Sequence, residues 1–169
     1  MNAMREVHIE KVVVNIGVGE AGDKLLRAQK VLESLTGQKA VQTLSTSTNR
    51  DFGIRQGMPI GAKVTLRGER ADRFLREAFY ARNNVLFRYN FDPQGNFSFG
   101  VADYTDFKGV KYDPDIGLFG MDVSVTLRRP GYRVARRRIR RRRIPHRHRT
   151  KPQEAVDYVS AHFEVEVKG

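Results

Sequence analysis

Alternating apolar and polar side chains predict several β-strands in this chain. Residues 7–18 place Val12, Val14 and Ile16 on one face of a strand and Lys11, Val13 and Asn15 on the other. Residues 59–67 repeat the pattern, with polar positions at Lys63, Thr65 and Arg67. Shorter alternating stretches predict strands at 97–101, 121–127 and 163–167, and residues 38–44 predict a weaker, more polar strand.

Apolar residues spaced three or four apart predict two helices, at 23–36 and 70–85, and Gly37 is a stop signal for the first. Thr150 and Gln153 predict a capping box for a last helix at 152–161. The interleaved elements predict one domain, 1–169, of the α+β class. Its architecture is two-layer, with a mainly antiparallel sheet, helices packed on one face, and an open polar face.

The positive charge of the chain is concentrated in one segment. The sequence has 31 Lys and Arg against 19 Asp and Glu, a net charge of +12. Residues 128–149 contain twelve Arg and no acid, so the basic and acidic residues outside this stretch are equal in number. We call residues 128–149 the Arg segment, and a charge block of this kind is typical of proteins that bind a polyanion.

The Arg segment is predicted to bind RNA phosphates, because each guanidinium grips phosphate bidentately and releases a counterion. Twelve like charges repel one another, so we expect the stretch to order only on RNA. A solvated basic segment or a localisation signal is the alternative. The arginines concerned are Arg128, Arg129, Arg133, Arg136, Arg137, Arg138, Arg140, Arg141, Arg142, Arg143, Arg147 and Arg149.

Residues 45–57 are predicted to form a loop rich in hydroxyl, amide and glycine residues. Two Arg and Phe52 in this loop suit contact with a nucleic-acid backbone and a stacked base. An ordinary surface loop with Phe52 packed into the core is at least as compatible with the composition.

Enzyme chemistry is not indicated. The absence of Cys excludes a disulfide framework, a thiolate metal site and a Cys nucleophile, and the four His are scattered or lie among arginines. No nucleophile motif is present, so we expect no catalytic residue, cofactor or metal. The N-terminal region lacks a signal-peptide-like apolar stretch and a run long enough to span a bilayer, which predicts a soluble, intracellular protein without a membrane partner.

Residues 17–22 match the G-x-G-x-x-G pattern of dinucleotide-binding folds. That fold requires an acid about 20 residues further on, and none lies between Glu33 and Asp51. Glu20, inside the loop, would also repel a pyrophosphate. The glycines are better interpreted as a tight turn and a helix entry.

Five collinear motifs carry a resemblance that extends from about Val7 to the end of the chain. They are VVNIGVGEA at 13–21, TGQK at 36–39, IRQGMPIGAKVTLRGER at 54–70, GNFSFG at 95–100 and GMDV at 120–123. Together they resemble the universal large-subunit ribosomal protein five family. The Arg segment is more similar to the archaeal branch of that family than to the bacterial branch.

The resemblance implies a two-layer domain that docks on 5S rRNA in the central protuberance of the cytoplasmic ribosome. It also implies contacts with large-subunit rRNA, peptidyl-site tRNA and neighbouring ribosomal proteins, including a small-subunit bridge protein. The family's 5S-facing positions fall on Asn15, Gln38 and Thr65, beside Lys11, Lys63 and Arg67 on the predicted polar strand faces. Its tRNA-reaching loop falls on 45–57, with Thr46, Thr48, Asn49, Arg50, Phe52 and Arg55 as contacts.

Two features depart from the bacterial pattern. Bacterial members carry more Lys and Arg in the tRNA-reaching loop, and they have no counterpart to the Arg segment, which we expect to enter rRNA near the protuberance. Two other classes stay open on the residues alone. One is a general nucleic-acid or chromatin protein that binds any duplex through its arginines, and the other is a nucleotide-binding enzyme.

Overall fold

The computed structural model describes residues 2–168 and contains two sheets and three α-helices. The strands are β1 (His8–Gly17), β2 (Val41–Leu44), β3 (Pro59–Leu66), β4 (Val85–Phe87), β5 (Phe97–Val101), β6 (Met121–Arg128) and β7 (Glu166–Lys168). The helices are α1 (Asp23–Thr36), α2 (Glu69–Ala81) and α3 (Pro152–Phe163). Short 3-10 turns lie at Ala3–Arg5, Arg88–Asn90, Tyr104–Asp106, Tyr132–Ala135 and His146–His148.

The larger sheet has the order β2-β3-β1-β6-β5, and every neighbouring pair in it is antiparallel. The smaller sheet pairs β4 with β7 in parallel. The predicted α+β class with a mainly antiparallel sheet is therefore confirmed.

One face of the large sheet is buried in the hydrophobic core. Its central positions, each at most 1% exposed, are Val12, Val14 and Ile16 of β1, Ala62, Val64 and Leu66 of β3, and Val123 and Val125 of β6. Buried residues of all three helices belong to the same core cluster. Burial of these apolar side chains is the main favourable contribution to folding, and it leaves the alternate residues of each strand on the other face of the sheet.

The glycine-rich stretch 17–22 forms a turn into α1, as interpreted from the sequence. Gly19 and Gly22 have φ of 81° and 126°, a region that L side chains rarely adopt. Both neighbours of β1 are antiparallel to it, whereas a dinucleotide-binding fold places this motif in a parallel sheet. The sheet topology therefore excludes a dinucleotide fold.

Several predicted element boundaries were wrong. Helix α2 ends at Ala81 rather than at residue 85, because Asn83 and Asn84 both have positive φ and the chain turns into β4. Strand β2 begins at Val41 rather than at residue 38. Helix α3 continues through Phe163, and Glu164 is left-handed, so the last strand begins only at Glu166.

The predicted capping box of Thr150 and Gln153 was also wrong. The N-cap of α3 is Lys151, and its main-chain N–H donates to the Glu154 carboxylate at 3.0 Å. The Thr150 hydroxyl is buried and has no hydrogen-bond partner within residues 2–168. The carboxylate of Glu154, the third residue of α3, therefore caps the helix by accepting the main-chain N–H of the N-cap residue.

Candidate nucleic-acid interface

The polar face of the large sheet brings together the six residues predicted to contact 5S rRNA. Asn15 of β1 lies opposite Lys63 of β3, and Thr65 lies opposite Val13. Lys11 lies opposite Thr126 on the other side of β1. We call this surface the open face. Lys63 and Arg67 are exposed on it, and Lys11, Asn15 and Thr65 are half-buried.

Two of the six predicted residues also hold the sheet together. The Gln38 amide donates to the main-chain carbonyl of Thr65 at 3.2 Å, and an Arg67 Nη donates to the carbonyl of Glu10 at 3.2 Å. These contacts use one donor of each group, and an Arg carries five. Gln38 and Arg67 are therefore held in place by these hydrogen bonds, and each keeps N–H donors that can bind a ligand.

The open face continues onto strands that were not in the predicted set. Asp122 of β6 lies opposite Asn15, and Gly100 of β5 lies opposite Asp122. Ser124 and Ser98 form the next row. Asp122, Gly100 and both serines are exposed. The alternation of 121–127 already placed residues 122, 124 and 126 on a polar face, so the signal for these positions was present in the sequence.

Residues 45–57, which the sequence predicts as a loop, are folded into a hairpin. Asn49 and Ile54 exchange main-chain hydrogen bonds of 2.8 and 2.9 Å. The Ser45 N–H donates to the carbonyl of Met58, and the Gly57 N–H donates to that of Ser45. Residues 50–53 therefore form the turn that connects the two arms of the hairpin.

Phe52 stands at the tip of this hairpin with 75% of its surface exposed, which rules out the alternative that it packs into the core. The other residues predicted to contact tRNA are exposed as well, namely Thr46, Thr48, Asn49, Arg50 and Arg55. The Thr48 hydroxyl accepts from the main-chain N–H of Gln56 at 3.1 Å. An exposed aromatic ring between two arginines is suited to stacking on a base or ribose and to phosphate contact.

The beginning of the Arg segment is attached to a buried carboxylate in β1. The side chain of Glu10 is 1% exposed and pairs with Arg128 at 3.0 Å. Arg136 contacts the same carboxylate with both terminal nitrogens, one of them at 3.1 Å. This charge compensation opposes the repulsion that was expected to keep the segment unfolded in the free protein.

Burial by itself raises the pKa of the Glu10 carboxyl. The hydrogen bond from Arg136 and the charges of Arg128, Arg136 and Lys11 outweigh that effect and hold the pKa below its ordinary value. Glu10 is therefore ionised at neutral pH and holds its arginines as a full negative charge.

A second carboxylate attaches the segment to α3. Arg129 is 7% exposed and pairs with Glu154 at 2.6 Å. Another Nη of Arg129 donates to the carbonyl of Arg147, and a ring nitrogen of His148 lies 2.7 Å from the carbonyl of Pro130. The two ends of the segment are thus held beside each other at the start of α3.

The remaining nine arginines have no carboxylate partner within residues 2–168. Most of them are exposed; they are Arg133, Arg137, Arg138, Arg140, Arg141, Arg142, Arg143, Arg147 and Arg149. Of the twelve arginines predicted to bind phosphate, three therefore pair with carboxylates of the protein, and the charge of the other nine is not neutralised by a carboxylate within residues 2–168. Such a cluster is strongly attractive to a polyanion.

The part of the chain that the structure describes contains no cluster of three potential metal-ligating side chains. In the same part, no helix has the length and apolar character needed to cross a membrane.

Comparison with known proteins gives matches over most of the chain. A family model described as ribosomal protein L5 matches residues 2–55, and a second model, which describes the C-terminus of the same ribosomal protein family, matches residues 59–149. The large ribosomal subunit protein uL5 of Thermoplasma acidophilum is 56% identical over 168 residues, which cover 99% of both chains. The uL5 protein of Methanococcus vannielii is 52% identical over 97% of this chain and 92% of its own.

Proposed function

Since this chain belongs to the ribosomal protein L5 family, we propose that its open face binds 5S rRNA. Proteins of this family are structural constituents of the large ribosomal subunit, so the chain is a non-enzymatic component of the cytoplasmic ribosome. Its similarity to relatives such as that of Methanococcus vannielii identifies the archaeal type. Membership of this family excludes the alternative that the chain is a nucleotide-binding enzyme.

One row across the sheet is the observation that supports 5S rRNA binding best. Lys63, Asn15 and Asp122 lie side by side on β3, β1 and β6, so a cation, an amide and a carboxylate occupy neighbouring positions. Cations contact phosphates, whereas amides and carboxylates recognise base edges and 2′-hydroxyls. A surface for phosphates alone would not place an exposed acid next to Asn15 on its central strand.

The Arg segment is proposed to bind adjacent large-subunit rRNA. Its nine arginines without a carboxylate partner in the described residues supply a salt-dependent contribution to affinity, because each neutralised phosphate releases a counterion. Glu10 and Glu154 hold the beginning of the segment, and Arg129 connects that beginning to the carbonyl of Arg147 near its end. We therefore expect only the middle, around residues 137–143, to need RNA for full ordering.

The hairpin at residues 45–57 is proposed to contact peptidyl-site tRNA. Its support is the exposed Phe52 ring, with Arg50 and Arg55 close by in the hairpin. Neighbouring ribosomal proteins, including a small-subunit bridge protein, complete the set of partners that the family resemblance supports.

A salt titration tests the 5S proposal. The full chain is compared with an Asn15→Ala, Gln38→Ala, Thr65→Ala variant for binding to 5S rRNA and to an unrelated RNA duplex. A matched control carries Ser34→Ala, Gln153→Ala and Ser160→Ala, three exposed polar positions on the helices. We expect 5S rRNA to bind about 10³-fold more tightly than the duplex at physiological salt, and the open-face variant alone to lose that preference.

The alternative outcome is equally informative. Equal binding of both RNAs, with the same steep dependence on salt in all three proteins, means that the arginines alone explain the affinity. The chain would then behave as a general nucleic-acid-binding protein.

A further inference from the structure

A cleft of about 510 Å³ lies between the end of the large sheet and the Arg segment. Glu10, Thr126, Leu127 and Arg128 line it from the sheet, and Gln94 and Asn96 line it from the turn before β5. The Arg segment beyond β6 contributes Tyr132, Ala135, Arg136, Arg143, Ile144 and Arg149. The volume is in the range of about 300–1,000 Å³ that is typical of sites for small organic ligands.

The charges of this cleft favour a ligand with one anionic group. Four arginines line it against a single acid, Glu10. Glu10 is already paired with Arg128 and Arg136, whereas Arg143 and Arg149 have no carboxylate partner in the described part of the chain. These two guanidinium groups therefore offer bidentate donors to a phosphate.

The rest of the lining suits a flat, partly apolar group with hydrogen-bonding edges. Tyr132 supplies an aromatic ring, and Leu127, Ala135 and Ile144 supply apolar surface. The exposed amide of Gln94 lies at the same cleft, while Asn96 is held by Asp92 and the N–H of Leu127. An aromatic ring, an amide and two cations together are the elements with which proteins hold unstacked bases.

We propose that this cleft receives a single unstacked nucleotide of the RNA that lies on the open face. Arg143 and Arg149 bind its phosphate, Tyr132 and Ile144 contact its base, and Gln94 meets the base edge. The proposal rests on the proposed function, since it names the part of the bound RNA that enters the cleft. Thr126 supports RNA as the source, because it belongs both to the cleft and to the open face beside Lys11.

Blocking the cleft without changing charge is the decisive test. Ala135→Trp and Ile144→Trp each fill it from a different wall, and urea unfolding and limited trypsin digestion check that each variant keeps its fold. We expect both to bind 5S rRNA about tenfold more weakly than the parent chain. Wild-type affinity in both folded variants overturns the proposal and leaves 5S binding by the open face untouched.

Charge-matched substitutions separate the cleft from the general attraction of the Arg segment. Arg143→Gln removes a cation that lines the cleft, and Arg141→Gln removes an exposed cation two positions away that does not line it. We expect Arg143→Gln to weaken 5S rRNA binding several-fold more than Arg141→Gln at the same salt concentration. Equal losses mean that Arg143 acts only through overall charge, which overturns its assigned role.

Free ligands distinguish the source and the chemistry. The methyl signals of Ala135 and Ile144 are followed by NMR while the full chain is titrated with adenosine monophosphate, uridine monophosphate or inorganic phosphate. Shifts with the nucleotides alone support base binding, and no shift with any free ligand, together with weakened RNA binding in the blocked variants, assigns the site to a nucleotide within an RNA chain. Equal shifts with inorganic phosphate overturn the base contact and leave an anion site.

Discussion

The buried carboxylate of Glu10 accepts hydrogen bonds from both terminal nitrogens of Arg136, a residue 126 positions further along the chain. Arg128 contacts the same carboxylate at 3.0 Å. One acid in β1 therefore pairs with two arginines at the point where the Arg segment leaves the sheet. The same three residues, Glu10, Arg128 and Arg136, line the cleft between the sheet and the Arg segment.

Glu10→Gln is expected to destabilise the fold and loosen the Arg segment. The substitution keeps the size of the side chain but leaves two guanidinium groups without their counter-charge. Because Arg128 and Arg136 are partly exposed, with side chains 30% and 57% accessible, we expect a loss of about 1–3 kcal/mol in the free energy of unfolding. Urea unfolding gives the loss, and trypsin digestion should show faster cleavage within 133–143.

Glu20→Gln is the matched control for that experiment. Glu20 pairs with Lys24 at 3.2 Å, and both side chains are more than half exposed, at 61% and 57%. Exposed pairs of this kind contribute little, so neither the unfolding midpoint nor the cleavage rate of the Arg segment should change. A Glu10→Gln protein as stable as the control contradicts the anchoring role.

The contribution of Glu10 to stability is expected to disappear in acid. Its folded-state pKa is lowered, so the unfolded chain takes up the proton first as the pH falls. The contribution is therefore complete at neutral pH and is lost below about pH 4.3, as the pH falls through the folded-state pKa. Unfolding of the parent chain and of Glu10→Gln at pH 7 and pH 3 should show a difference that shrinks at the lower pH, and a constant difference would contradict it.

The strands and the open face followed from residue patterns, because a half-buried sheet imposes a period of two on each strand. That period places Lys11, Asn15 and Thr65 on the polar faces of their own strands, and the pairing of β1 with β3 then brings them onto one surface. The helical spacing of apolar residues predicted that α2 continues to residue 85. That boundary was wrong because Asn83 and Asn84 adopt left-handed conformations. Pairing of β4 with the distant β7 decides that boundary, and local spacing carries no information about it.

The attachment of the Arg segment was harder to predict. Glu10 shares the parity of Val12, Val14 and Ile16, so an acid on the apolar face was visible as an anomaly in the sequence. A shift of register between Ile9 and Lys11 adds to the irregularity at this point. The partners of Glu10 are more than 100 residues away, and twelve similar arginines give no local clue to which of them pair.

Thr150→Val is expected to leave stability unchanged or raise it by about 1 kcal/mol. The Thr150 hydroxyl is buried and has no partner within residues 2–168, while its methyl group packs near Gly95. Valine keeps the shape and removes the unsatisfied polar atom. Thr150→Ser is the control, since it keeps the hydroxyl, loses the methyl group and should destabilise the fold in the same urea experiment. A clear loss with Val would show that the hydroxyl has a partner.

Phe52→Ala is expected to weaken tRNA binding without affecting the fold. The ring is 75% exposed, so its removal should change the free energy of unfolding by less than about 0.5 kcal/mol. Loss of one stacked contact should reduce the affinity of ribosomes carrying the variant for peptidyl-site tRNA by roughly tenfold. Leu26→Ala removes an apolar residue that is 51% exposed on α1 and is the matched control. Unchanged tRNA affinity in Phe52→Ala would remove the hairpin from the proposed function.

Asp122→Asn is expected to lower the preference for 5S rRNA and to raise the affinity for an unrelated RNA duplex. Asp122 is exposed on β6 opposite Asn15. Its negative charge repels phosphates, whereas its carboxylate oxygens can accept hydrogen bonds from base amino groups. Removing the charge should tighten binding to an unrelated duplex. Replacing one carboxylate oxygen with an NH2 donor should weaken the contact with a base amino group and lower the preference for 5S rRNA by about tenfold. Asp157→Asn makes the same charge change on an exposed position of α3 and should alter neither quantity. If Asp122→Asn tightens binding to both RNAs by the same factor, the carboxylate acts only by repulsion and the base-reading role of that row is lost.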